Sequence, residues 1–426
     1  MGRRSAGSRS LSLRGDAPVR HGQLPKSHPL ATIAKVLAAT IAVVAVSGGA
    51  VGAFALYGTI SNIKPGIHLT HAGGAPVADA TPKVGPIDGE VNLLLAGTDT
   101  RTGQAGYQTK DQLAGSSGVG NNDVTMLLHI SADHTSATVV SFPRDMVNIP
   151  LCGRSISPAM FNSTLSRGLS CTVSTVEKMT GLTIPFAGII TFDGVIGMSN
   201  AVGGVTVCLA TAVKDPYTDP QLDLAAGEQT LVGAEALSFL RSRHGVGDGS
   251  DLGRISNQQV FLSALTRKIT SGGVLGNPLT LYKLANAAVS NVQLSDTLTN
   301  PTTLVSIALA LKGIDLSKIV FVQYPTGADP ANPNRVVAQT APAAALAAAL
   351  KSDQPISLTG TLGRAAVADP NATLPATPIP STPAPSGSAA PSAPATPVPT
   401  SISLPSTISG QSANQTTCTQ GFSNRK

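Results

Sequence analysis

VNLLLAG (residues 91–97) runs straight into TDTR (98–101). Its apolar side chains, almost without polar alternation and closed by glycine, are too few for a helix. They predict a strand buried on both faces, as in a sheet covered by helices. VTMLLHI (124–130), ATVVSF (137–142), PFAGIITF (185–192), GVTVCL (204–209) and IVFVQY (319–324) repeat the pattern. Between these runs, VSTVEKMTG ends on Gly181 as a helix C-cap. LVGAEALSFLRSR (231–243) and LGRISNQQVFLSALTRKI (252–269) space their apolar residues near 3.6. Strands alternating with helices predict an α/β domain over 88–358, a three-layer α-β-α arrangement around a central mixed sheet.

The flanks have other compositions. The chain is 426 residues long with a formal charge of +6. Seven basic residues and one acid precede residue 36, which leaves 22 of each sign in the rest. The excess belongs to a tail, residues 1–35, and not to a nucleic-acid-binding face. Residues 36–57 carry no charge. As a helix they would reach roughly 33 Å, enough to cross a bilayer. The positive-inside rule then puts the tail in the cytoplasm and the remainder outside the cell membrane, as a single-pass protein. A cleaved signal peptide is the rival reading, but the apolar run and the basic tail are both long for one. Residues 58–87, rich in Gly, Pro, Ala and Thr, read as a linker, and 359–426 as a disordered Pro/Ser/Ala/Thr-rich tail.

Four cysteines would then meet an oxidising compartment. A Cys152–Cys171 bridge would close a short excursion rich in turn-formers. Cys208 is either a buried thiol or the partner of Cys418. No Cys-x-x-Cys or His/Cys cluster supports a zinc site.

Charge is scarce, 12% of residues, yet FLRSRHGVGDGSDLGR (239–254) concentrates three arginines and two aspartates among four glycines. Such a run is ordinarily a solvated helix face. Here Arg241 and Arg243 end an apolar helix and Gly245, Gly247 and Gly249 follow, which suits an anion cradle approached by backbone. Asp251 can cap the next helix, and Arg254 lies in its first turn. Asp99 and Arg101 stand just past one strand, Arg144 and Asp145 just past another, and Asp123 just before a third. Ligands of such sheets sit beyond strand ends. Five guanidinium groups suit a pyrophosphate, and carboxylates with phosphate suit Mg²⁺.

In order along the chain, NLLLAGTDTR, NNDVTMLLHIS, VVSFPRDMVNIP, FDGVIGMSNAVGGVTVCL and GAEALSFLRSRHGVGDGSDLGRISNQQVFLSAL resemble the LytR–CpsA–Psr proteins, in their actinobacterial branch. The resemblance implies a domain that binds a polyprenyl diphosphate and moves its phosphoglycan onto peptidoglycan, at a membrane. It assigns Asp99 and Asp123 to Mg²⁺, and Arg101, Arg144, Arg241, Arg243, Arg254 and Gln258 to the diphosphate. Asp99, Asp251 and Arg144 become the catalytic candidates. LLLAG, FDGVIGMSNAVGG and VFLSAL are candidate linings for the lipid slot, with ordinary core as their alternative. The family's R-x-x-R-Q reads here with Asn257 in place of the second arginine, which predicts one donor fewer at the anion site. FNST (161–164) departs from the usual I-N-A-A and leaves the role of Asn162 open. His244 is read as a loop residue and His129 as a satisfied sheet residue. Two other functions fit the same residues: a polyprenyl-diphosphate pyrophosphatase, and a non-catalytic lipid-binding protein of wall assembly.

Overall fold

A computed structural model of the chain describes residues 65–71, 87–107, 109–113, 118–270, 292–372 and 401–423. The expected cytoplasmic tail and the uncharged stretch 36–57 lie outside them. Among the described residues, no helix is long and apolar enough to cross a membrane.

In chain order the elements that shape the site are β1 (Val91–Thr98), β2 (Asn122–Ile130), β3 (Ala137–Phe142), α1 (Leu169–Thr180), β4 (Phe186–Ile190), α2 (Phe192–Ala201), β5 (Val205–Leu209), β6 (Gly227–Leu231), α3 (Ala234–Arg241), α4 (Asp251–Thr270), β7 (Val292–Leu294), α5 (Pro301–Leu311), β8 (Ile319–Gln323), β9 (Thr326–Asp329), β10 (Asn332–Ala338), α6 (Thr340–Lys351), β11 (Ala366–Ala368), β12 (Gly410–Ser412) and β13 (Thr417–Thr419). Seven strands form a mixed sheet in the order β7-β4-β1-β2-β3-β8-β12. β1 runs antiparallel to β2 and parallel to β4.

Period-two alternation decides what each face carries. Leu94, Leu127 and Val140 are opposite one another in register and pack with Val173 and Val176 of α1 and Leu346 and Leu350 of α6. Leu93, Leu128 and Val139 face the other way, towards Leu304 and Ile307 of α5 and Leu262 of α4. The three-layer α-β-α core is therefore present, built from the runs that predict it.

Three features depart from expectation. GVTVCL is not a strand of the central sheet: it is β5 of a separate four-stranded sheet, β6-β5-β13-β11, whose core includes Val205, Val207, Leu231, Phe239 and Phe261. α4 contacts both sheets, so polar Ser256, Asn257, Gln258 and Gln259 are buried along with its apolar residues. Residues 65–71 of the expected linker dock on the domain: Leu69 is buried, and the Ile67 N–H donates to the Leu294 carbonyl at 2.9 Å.

The expected disordered tail is corrected at both ends. Residues 359–372 include β11, and residues 401–423 return to the domain as β12 and β13, one in each sheet. Leu404, Ile408, Ala413 and Cys418 are buried, so this segment brings its own apolar anchors. Cys208 and Cys418 sit opposite each other on parallel β5 and β13 and are bridged, as are Cys152 and Cys171.

Candidate active site

β1 and β2 deliver two carboxylates to one end of the sheet. Gly97 pairs with Val124 and Thr98 with Asn122, so Asp123 is the extra residue of a β-bulge, a device that re-aims a side chain. Asp99 follows the end of β1 and accepts hydrogen bonds from the Asn121 backbone N–H at 2.6 Å and side-chain amide at 3.2 Å. Gly120 stands over it with φ of +73°, and a Cβ there would come within 2.6 Å of the Asp99 carboxylate.

Arg144 enters from the loop after β3. Its Nη1 lies 2.6 Å from Asp123 Oδ1, its Nε 3.7 Å from Asp251 Oδ1, and its backbone N–H donates to Asp251 Oδ2 at 3.2 Å. Arg254, one turn into α4, places Nη2 2.5 Å from Asp251 Oδ1 and donates to the Asp123 carbonyl at 2.8 Å. Burial opposes the charge of Arg144, but Asp123, Asp251 and Asp145 outweigh it and raise its pKa. Arg254 is more deeply buried, and desolvation lowers its pKa even beside Asp251. The Nε groups of both arginines lack a hydrogen-bond acceptor.

Beneath this network lies an apolar cavity of about 410 Å³. Leu95 and Met126 form its sheet wall, with Val195 and Met198 of α2, Leu237 of α3 and Leu265 of α4 around it. Its polar lining includes Asp123, Arg241, Arg254 and Gln258, with Thr98, Thr191 and Ser199. LLLAG, FDGVIGMSNAVGG and VFLSAL all contribute residues to this wall.

The arginines of the R-x-R do not point the same way. Arg241 lies over the Phe192 ring, 4.3 Å from its centroid, and donates to the Tyr107 hydroxyl at 3.4 Å. Arg101 lies over the same Tyr107, 5.4 Å from the ring centroid, so it joins the Arg241 side of the mouth. Arg243 instead donates to the Gly249 carbonyl at 3.2 Å and lines a polar groove with Asp145, Asp251 and Arg335. Ser242 between them is fixed by a 2.7 Å bond to Asp215. Asp145 receives Arg335 at 3.2 Å and lies 3.9 Å from Arg144 and 4.0 Å from Arg243.

Two expectations are corrected here. The glycines after Arg243 do not open the backbone to a ligand. A Cβ on Gly245 would strike Asp215 and Lys214, and one on Gly247 would strike Arg364 and Ala365. They permit close packing of chain on chain, and residues 420–423 pair with this loop. Asn257 does not face the anion site either. It is fully buried, donates to the Phe239 carbonyl at 2.7 Å and accepts from the Thr419 hydroxyl at 2.8 Å, tying α3 to β13. Gln258 donates to the Leu240 carbonyl at 2.9 Å. Exposed His244 packs against Tyr217, and the Asn162 N–H donates to the Arg144 carbonyl at 3.0 Å. Sequence reasoning missed Tyr107, Arg335 and the bridging role of Asp145. The only signal for the last was its place beside Arg144.

An oily cavity under a rim of guanidinium groups, on one face of a mixed sheet, defines an α/β domain suited to an amphiphile with an anionic head. Residues 61–352 match the LytR_cpsA_psr family, and the chain belongs to that family. It is 29% identical over 297 residues to "Cell wall biosynthesis protein LcpA" of Corynebacterium glutamicum, covering 63% of this chain and 55% of that protein. It is 28% identical over 253 residues to the Bacillus subtilis protein named polyisoprenyl-teichoic acid–peptidoglycan teichoic acid transferase TagT, covering 58% of this chain and 73% of that one. The crystal structure of B. subtilis TagV shares the fold, with a TM-score of 0.50 at 23% identity, covering 62% of this chain and 97% of that chain. The chain spans little more than half the length of the corynebacterial relatives, 55% of LcpA and 56% of LcpB.

Proposed function

We propose that the chain transfers a phosphoglycan from a polyprenyl-diphosphate carrier onto peptidoglycan, carried at the outer face of the membrane by residues 36–57. The observation that supports this best is the 410 Å³ apolar cavity lined at its polar end by Asp123, Arg241 and Arg254. The prenyl chain enters the cavity and the diphosphate rests among Arg101, Arg144, Arg241, Arg243 and Arg254. The buried Nε donors of Arg144 and Arg254 suit incoming phosphate oxygens, since an unmade buried hydrogen bond is costly.

An acceptor sugar hydroxyl attacks the glycan-linked phosphorus. A new P–O bond forms, the bridging P–O–P bond breaks, and polyprenyl phosphate leaves while the hydroxyl proton passes to a carboxylate. Arginines already in place around the departing phosphate stabilise its developing charge without reorganisation. Asp251, against the Arg254 guanidinium and the Arg144 N–H, acts as a positioning residue for them. Asp99 and Asp123 fit Mg²⁺ by their chemistry: two hard oxygen donors at neighbouring strand ends. When bound, the ion would neutralise phosphate charge.

The test incubates the purified ectodomain with a synthetic polyprenyl-diphosphate sugar, Mg²⁺ and a peptidoglycan oligomer, and seeks the joined product by mass spectrometry. Asp99→Ala and Asp123→Asn are expected to abolish turnover while retaining lipid affinity. Phosphate release without acceptor would instead identify a pyrophosphatase, and unaltered behaviour of both variants a pure binder. Arg241→Ala and Arg243→Ala are each expected to weaken binding of the lipid diphosphate by about 1.5–3 kcal/mol, the range of charge-assisted bonds. Calorimetry decides it, and unchanged binding in both removes their assigned role.

A further inference from the structure

Three residues that the transfer reading does not use meet at the opposite end of β1 and β2. Glu90 precedes β1, His129 is the penultimate residue of β2, and Asp353 follows α6. Asp99 and Asp123 lie a strand length away, on the order of 25 Å. One ligand atom from each of Glu90, His129 and Asp353 falls within 4.8 Å of the others.

The hydrogen bonds fix the histidine's tautomer. The Asn92 side-chain amide donates to the Thr183 carbonyl at 2.9 Å and to Glu90 at 3.3 Å, so its oxygen is what faces His129 Nδ1 at 2.8 Å. Nδ1 therefore carries the hydrogen, and a neutral ring presents a bare Nε2. That Nε2 lies 3.3 Å from Asp353 Oδ1, itself a buried oxygen without a hydrogen-bond partner. With the ring neutral, two acceptors face each other, with Glu90 beside them. His129 is only 4% exposed, so water offers little relief. Asp353 is aimed at this point at a cost: its φ is +58°, and its second oxygen is held by the Ala132 N–H at 2.8 Å.

We propose that Glu90, His129 and Asp353 form a binding site for a zinc-class divalent cation. Zinc with ligands at about 2.0–2.1 Å has tetrahedral ligand-to-ligand edges of about 3.3 Å, the separation of Nε2 from Asp353 Oδ1. Asn92 is the orienting partner that metal-bound histidines commonly have on their other nitrogen. Water fills the fourth position. The rival arrangement, an imidazolium paired with Asp353, requires a charged ring at a position only 4% exposed. The ion ties the start of β1, the end of β2 and the end of α6, so its effect is on stability and not on turnover. The ligands are 39 and 224 residues apart in sequence, which is why no local motif announces them.

The full chain, stripped with chelator, is titrated with Zn²⁺ by calorimetry and with Co²⁺ by visible absorption. One equivalent is expected to bind, with the intense bands of tetrahedral Co²⁺. Zn²⁺ at a hundred times Kd should raise Tm by about 5 °C. Glu90→Gln, at an exposed position that leaves folding intact, and Asp353→Asn should each weaken binding more than about tenfold. Absence of saturable binding in the wild-type chain overturns the site, as does affinity unchanged in both variants. So does an NMR spectrum in which the His129 ring stays doubly protonated with Zn²⁺ present.

Discussion

Replacing Arg254 by alanine is expected to lower the unfolding free energy by about 3–5 kcal/mol, the cost of leaving one member of a buried ion pair alone. Arg254 and Asp251 are each 5% exposed, and the guanidinium lies 2.5 Å from the carboxylate. Removing it strands Asp251 in a place where water cannot replace the lost charge. It also deprives the Asp123 carbonyl of its 2.8 Å donor, which loosens the bulge that aims Asp123. Arg144 compensates in part, its Nε 3.7 Å from Asp251 Oδ1 and its backbone N–H donating to Oδ2, so the lower half of the range is the better expectation. The chain has no tryptophan, so urea unfolding is followed by far-ultraviolet circular dichroism. Arg254→Ala/Asp251→Ala removes both charges and should lose less than the sum of the single variants. Additive losses would mean that the pair is not the source of the effect.

What the sequence shows of this site, and what it hides, follows from how far each signal reaches. The strand runs and the α4 pattern are local, and they place Asp99, Asp123, Arg144 and Arg254 at one end of the sheet, where the structure has them. Glycine runs are ambiguous by nature: the same freedom that admits a phosphate admits another segment of chain, and at Gly245 and Gly247 it admits the latter. Asn257 looks like a missing anion donor only while its direction is unknown. Side chains that bridge distant segments, such as Asp145 with Arg335 on β10, leave no periodic mark. The return of residues 401–423 is hidden by two- and three-residue strands and by the proline-rich stretch before them. Its one advance sign was a cysteine, Cys418, in want of a partner.

That partner makes the second large effect calculable. Cys208 and Cys418 are 210 residues apart, against 19 for Cys152 and Cys171. If a bridge acts mainly by restricting the unfolded chain, removing the long-range one costs about 5 kcal/mol and the short-range one about 3 kcal/mol. Cys208→Ala/Cys418→Ala should therefore be the less stable double variant, measured by urea unfolding under oxidising conditions. The consequence should also be local. β13 is held beside β5, and the segment just after it receives the Gly247 N–H on the Gln420 carbonyl at 2.9 Å and donates the Phe422 N–H to Gly245 at 2.8 Å. Hydrogen exchange at Gly247 and Phe422 should accelerate when the bridge is gone, while the amides of β1 and β2 stay protected. Arg243 hangs from that same loop through its bond to Gly249, so the lipid-diphosphate affinity should fall with it. If the short bridge proves the costlier to lose, chain entropy is not what these disulfides contribute, and native contacts in the 152–171 excursion carry the difference.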